Sequence, residues 1–248
     1  MSSESSLQLS RSLLMAMRTR IFIDHEDRIP EDAAVVVVSN HRSFMDAPLL
    51  MAALNHPIRI ACHHYMGKVP MMREIVKQLG CFPLKEPEYR EQAFFEQATE
   101  LLKAHQWVGV FPEGAYPMVH LTKPDQMSKF HRGFAHLVLR APVQNLAVLP
   151  VAIASLEETV YPAVPLYLLR LFDPSEPLFA QPGLHPMVIH QRVAVSVGHP
   201  YWITPKHREQ YQGKQAKKAV THLTNTCRDE IAKVLHEIFQ RERMLCDR

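Results

Sequence analysis

The sequence predicts a single α/β domain with a largely parallel mixed sheet flanked by helices. Short runs of apolar, often β-branched residues alternate along the chain with stretches whose apolar residues recur at helical spacing. Such alternation is the pattern of parallel strands joined by crossover helices. The chain has 248 residues, 47% hydrophobic and 21% charged, which is enough to bury a substantial core and too apolar for global disorder.

The elements follow in order. Residues 7–23 are helix-prone, with Leu and Met interleaved with Arg11, Arg18 and Arg20. They read either as a packed N-terminal helix or as an interfacial helix whose basic residues face anionic lipid. On that basis residues 1–28 are set apart, as a possible membrane-surface anchor, from an α/β body over 29–248. The run 33–38 is a buried strand, 44–54 a helix and 58–62 a short strand. Val69, Met72, Ile75, Val76 and Leu79 mark a helix closed by Gly80. Residues 81–84 are a weak strand. Phe94, Phe95, Ala98, Leu101 and Leu102 form a helical stripe, 107–111 a strand and 130–140 a helix. Residues 146–153 and 193–197 are strands. Val220, Leu223, Cys227, Ile231, Val234, Leu235 and Ile238 define a long C-terminal helix. Residues 155–191 carry Pro162, Pro165, Pro174, Pro177, Pro182 and Pro186 and read as interrupted structure. Within them, 161–172 is rich in Leu, Tyr and Val, so it is either tucked into the core or lies against something apolar.

Composition excludes several classes. The net charge is +3, from 28 basic and 25 acidic residues, with no basic stripe of the kind that binds nucleic acid. Cys62, Cys81, Cys227 and Cys246 are scattered, which fits reduced thiols in a reducing, cytoplasmic compartment. No secretory leader is expected, and no run approaches the roughly 18 apolar residues of a spanning helix. Membrane contact is therefore expected to be peripheral. Eight glycines are about 3% of the chain against a usual share of about 7%, so each is expected where the backbone needs it.

Three strand ends carry unusual polar groups, and open α/β sheets place their sites at such ends. The first is Asn40-His41-Arg42-Ser43-Phe44-Met45-Asp46. Imidazole takes a proton from a hydroxyl near neutral pH, and a carboxylate fixes its tautomer. On a continuous helix His41 and Asp46 would lie about 140° apart, so they meet only if His41 sits in the turn before the helix. Ser43 is a plausible N-cap, which would put Asp46 at N3, a position it can fill for the helix dipole alone. The second end is Phe111-Pro112-Glu113-Gly114, readable also as a plain turn. The third, Gly80-Cys81-Phe82-Pro83-Leu84, delivers Lys85 and then Arg90, cations able to hold a phosphate or simply solvated.

These blocks, with Val148-Leu149-Pro150-Val151 as a fourth, resemble in order the four motifs of the glycerophospholipid acyltransferases. The resemblance covers about residues 33–200. Phe130-His131-Arg132-Gly133 also resembles a basic-Gly helix start in that family. It implies a glycerol-3-phosphate acyltransferase-like fold and transfer of a fatty acyl group from an acyl thioester to a hydroxyl of a lysophospholipid. His41 would be the general base and Asp46 its partner. Asn40, Ser43, Lys85, Arg90, Glu113, Gly114, Arg132 and Pro150 would bind substrate. No metal or cofactor is implied, only acyl-CoA or acyl-carrier protein as co-substrate. The acceptor the resemblance favours is 1-acyl-sn-glycerol-3-phosphate. Glycerol-3-phosphate or another lysolipid is the alternative.

The sequence also departs from the family. Glu86 stands where an Arg is usual, and Ala115-Tyr116 follow the third block where Thr or Ser and then Arg or Ser are common. A non-catalytic lipid-binding relative is therefore kept as a second reading. A metal-dependent hydrolase is a third, prompted by 15 His, but neither His63-His64 nor His131 and His136 has a workable ligand spacing.

Overall fold

The structure is a computed structural model describing residues 3–86 and 88–246, with the backbone alone for Ser3, Pro70, Met71 and Cys246. Helix α1 (Ser3–Ala16) and strand β1 (Arg20–Asp24) precede β2 (Ala34–Ser39), α2 (Asp46–Ala53), β3 (Ile58–Cys62), α3 (Pro70–Gln78) and β4 (Phe82–Pro83). Then come α4 (Arg90–Lys103), β5 (Trp107–Val110), α5 (Tyr116–Val119) and α6 (Gly133–Arg140). A long hairpin follows, β6 (Leu146–Pro165) and β7 (Leu184–Val197), with α7 (Leu166–Phe172) at its tip. Strand β8 (Tyr201–Trp202), α8 (Pro205–Gln210) and α9 (Ala216–Cys246) complete the order.

The sheet runs β1-β7-β6-β2-β5-β3-β4, with β8 added to β6. The pairs β1–β7, β6–β2, β2–β5, β5–β3 and β3–β4 are parallel, while β6 is antiparallel to β7 and β8. Four consecutive valines show why the sheet is buried on both faces. Val36 and Val38 join a core with Leu102 of α4, Val138 of α6 and Leu223, Ile231 and Val234 of α9. Val35 and Val37 point the other way, into a core with Leu14 of α1 and Leu49, Leu50 and Met51 of α2. A strand covered on both sides needs an unbroken apolar run, and β2 supplies one. Gly109 in β5 is a packing glycine: a Cβ there would lie 2.9 Å from both Ile58 and Ile60.

Two expectations are corrected. The segment 7–23 is not one helix. Arg18 adopts a left-handed φ of 55°, α1 has already ended, and the alternating Arg20-Ile21-Phe22-Ile23 pairs with β7 as β1. Leu14 is buried, and Leu7, Leu9, Leu13 and Met17 pack against the second core, so the apolar face of α1 is covered by the body. Residues 155–191 are likewise no simple interrupted loop, because β6 and β7 continue through most of them. Their register shifts near Ser155, Glu157 and Pro162, and Pro162 faces Pro186. Beyond the sheet the hairpin has only two strands, so each is an edge, where a missing proline N–H breaks no ladder.

The tip of this hairpin turns back over the sheet. Leu166, Leu169 and Phe179 form a small core with Val119 of α5, joined by Tyr65 from the loop after β3. In the strand order β2 and β5 lie between β6 and β3. The tip therefore straps across the carboxyl ends of both.

Candidate active site

The carboxyl end of β2 leads into a turn, Asn40 to Ser43, that one carboxylate organises. Asp46 is the first residue of α2, and its Oδ2 accepts the backbone N–H groups of Arg42 (2.6 Å) and Ser43 (2.8 Å). His41 Nδ1 lies 2.8 Å from the same oxygen. Oδ1 faces His190 Nε2 of β7 at 2.9 Å. Burial alone would raise the Asp46 pKa, but hydrogen bonds from His190 and His41 outweigh it and hold the carboxyl well below the usual range. An ionised carboxylate only accepts, so His41 carries its proton on Nδ1 and leaves Nε2 free as a base.

Phe111 fixes the plane of the His41 ring, stacked at 4.1 Å between centroids and 11° between planes. The His41 side chain is 16% exposed and Asp46 0%, so of the pair only the imidazole can meet a substrate. The expected helix cap is different. Helix α2 begins after Met45, so Ser43 is not its N-cap. The Ser43 hydroxyl instead accepts the Met45 N–H (3.0 Å) and donates to the Val188 carbonyl (2.6 Å). The Asp46 carboxylate thus takes the Arg42 and Ser43 N–H groups, and the serine only that of Met45.

Glu113, at the end of β5, is 3% exposed. Its Oε1 accepts the His41 backbone N–H at 2.9 Å and its other oxygen accepts that of Ser128. Burial raises the Glu113 pKa, opposed by these two hydrogen bonds. Gly114 follows at φ +67°, a left-handed conformation suited to glycine, and a Cβ there would stand 3.5 Å from the His131 ring. The His131 N–H donates to the Pro112 carbonyl at 2.7 Å, bringing the start of α6, with exposed Arg132, beside this turn.

The remaining expected substrate contacts sort by position. Asn40 exchanges two 2.8 Å hydrogen bonds with the backbone of Ile153, so its amide clips the turn to β6. The polar atoms of Asn40, Ser43 and Glu113 are thus all taken up by backbone, an arrangement that positions His41. Pro150 is buried in β6 opposite Val38, and its carbonyl accepts the Gly198 N–H. Lys85 is exposed beyond β4 and Arg90 begins α4, on the far side of β5 and β3 from His41. The Arg90 Nε is buried without a protein partner among the described residues. Glu86 is exposed and pairs with Lys68 at 3.2 Å. Among the described residues no group of three or more His, Cys, Asp or Glu side chains has an arrangement that could hold a metal ion.

The family model for acyltransferases matches residues 20–154, more than half of the chain. The chain belongs to the acyltransferase family. The fold of this acyltransferase is similar to the crystal structure of the 1-acyl-sn-glycerophosphate (LPA) acyltransferase PlsC from Thermotoga maritima. That match has a TM-score of 0.60 at 16% identity and covers 95% of this chain and 79% of that one. No curated protein matches this chain in sequence.

Sequence reasoning overlooked two features of the acyltransferase. The Arg42 side chain is 8% exposed and forms a two-pronged ion pair with Glu158 of β6, while also donating to the Thr122 carbonyl. Burial raises the Glu158 pKa, but the Arg42 hydrogen bonds overcome it and lower it. His190 is fully buried behind Asp46. Its signal was present in the alternation Val188, His190, which places both on the inward face once β7 is recognised as a strand. The proline-rich context hid that strand.

Proposed function

We propose that this acyltransferase moves a fatty acyl group from an acyl thioester to a free hydroxyl of a lysophospholipid, with 1-acyl-sn-glycerol-3-phosphate as the leading acceptor. The observation that carries this reading is the 2.8 Å contact between His41 Nδ1 and a fully buried Asp46, with the imidazole alone reaching the surface. In the proposed step His41 Nε2 takes the acceptor hydroxyl proton as the oxygen attacks the thioester carbonyl carbon. The tetrahedral adduct collapses with cleavage of the C–S bond, and the imidazolium returns its proton to the leaving thiolate. The products are the ester and a free thiol. Asp46 keeps the correct tautomer and stabilises the imidazolium, as carboxylates do behind catalytic histidines.

The acceptor class rests on the lysophosphatidic acid for which the Thermotoga maritima acyltransferase is named and on the cations near the sheet edge, Arg132 among them. A membrane-surface location fits the outer side of the strap, where Tyr161, Tyr167, Leu168, Leu171 and Phe172 are exposed. No helix among the described residues is long and apolar enough to cross a membrane.

The test is a mass-spectrometric product assay over lysophosphatidic acid, other lysolipids and glycerol-3-phosphate, each with acyl-CoA and with acyl-carrier protein. Phosphatidic acid as the main product is expected. No ester from any acceptor would leave the non-catalytic lipid-binding reading. Leu171→Asp is expected to lower sedimentation with anionic vesicles, and unchanged sedimentation would remove the strap as the membrane contact.

A further inference from the structure

Asp46 is held from two sides, and only one of them is local. The three donors at Oδ2 come from the turn itself, His41, Arg42 and Ser43. The donor at Oδ1 is His190, 144 residues away on the antiparallel hairpin. Because Asp46 is ionised, the His190 proton on this contact sits on Nε2. The other ring nitrogen, Nδ1, lies 2.9 Å from the hydroxyl of Ser155 on the neighbouring strand β6. Ser155, His190, Asp46 and His41 therefore form one continuous hydrogen-bonded chain that ends at the partly exposed imidazole.

The order serine, histidine, aspartate invites comparison with a nucleophile triad, but burial rules that out. Ser155 is 2% exposed and His190 0%, so neither can meet a thioester. A carboxylate pinned only at Oδ2 can pivot about that oxygen. With Oδ1 also pinned, its plane is set, and so is the direction of the lone pair facing His41 Nδ1. Misplacing a catalytic group by about 1 Å can slow a reaction about 100-fold.

We propose that His190, backed by Ser155, is a positioning residue for acyl transfer, clamping the Asp46 carboxylate in the orientation that holds His41 ready to accept a proton. The inference rests on the reading of His41 and Asp46 given above. It also assigns a role to the part of the hairpin that lies beyond the region matched by the family model, since Ser155 and His190 both fall after residue 154.

The test measures steady-state kinetics of the full chain with palmitoyl-CoA and lysophosphatidic acid for wild type, His190→Leu, His190→Gln, His190→Asn and His41→Ala. Gln places an N–H donor where the His190 Nε2 stands, whereas Asn falls one carbon short of Asp46. His190→Leu is expected to lower kcat about 10- to 100-fold with both KM values within about twofold. His190→Gln is expected to recover most of the loss and His190→Asn little of it. Where His190→Leu does not fold, the contrast between Gln and Asn decides alone. A kcat for folded His190→Leu equal to wild type, a loss confined to KM, or equal activities of the Gln and Asn variants would each overturn the proposal. If His41→Ala is inactive while the His190 variants match wild type, only the clamp is lost. If His41→Ala is as active as wild type, the underlying reading of the site fails.

Discussion

Two histidine–carboxylate clusters stand at the same edge of the sheet, and they are built differently. At the end of β2, His41 meets Asp46 only five residues away, and both carboxylate oxygens have donors. At the end of β3, His63 meets carboxylates of the strap: Nε2 lies 3.0 Å from Glu176, and Nδ1 lies 3.6 Å from Asp173. There the His63 Nδ1 and the Asp173 Oδ2 are buried without a hydrogen-bond partner among the described residues. The first cluster is preorganised by its own turn and stacked on Phe111. The second fastens together parts of the chain that are 110 and 113 residues apart in sequence. A histidine beside a carboxylate is thus not enough to mark catalysis. Complete satisfaction of the carboxylate and one exposed ring nitrogen distinguish the first site.

Substitutions can break or sharpen this contrast. The largest effect is expected from Asp46→Asn, which removes the anion behind His41 and frees its tautomer. Turnover is expected to fall about 1,000-fold, read as thiol release. The same variant separates the charge from the fold. The Asp46 pKa is lowered on folding, so its ionised form stabilises the native state above the ordinary carboxylate value of 3.8, and that stability is lost as pH falls below it. Urea midpoints between pH 3 and 7 are expected to fall more steeply on the acid side for wild type than for Asp46→Asn. Parallel curves would contradict the assignment.

The next effect is structural. Arg42→Met leaves Glu158 partly buried without its partner and is expected to cost about 3 kcal/mol in urea unfolding. Adding Glu158→Leu is expected to recover part of that loss, since an apolar pair of similar size needs no desolvation. The smallest effect belongs to the second cluster. His63→Gln is expected to change kcat by less than about threefold and stability by about 1 kcal/mol, while quickening chymotrypsin cleavage at the exposed Tyr167 of the strap. A loss of turnover as deep as that of Asp46→Asn would erase the distinction between the clusters.

The residues that build the parallel half of the sheet were readable because their chemistry is local. Val35 to Val38 announce a strand buried on both faces, and the spacing of His41 and Asp46 demanded a turn before the helix, which is where His41 lies. The hairpin was hidden because its prolines occupy edge positions that a local reading cannot tell from loop. With it went His190, Ser155 and the partner of Arg42, all contacts across more than 30 residues of sequence. Helix periodicity carried α1 past its end for a related reason. The strand propensity of Ile21 to Ile23 is realised only because β7 offers an edge to pair with.

The most direct measurement follows free thiol in single-turnover reactions of wild type and His41→Ala with acyl-CoA and lysophosphatidic acid. With His41 as the base, thiol release is expected to slow about 1,000-fold while the lysolipid still binds with unchanged affinity. Equal rates of thiol release from the two proteins would contradict the assignment of His41 and, with it, the mechanism built on Asp46.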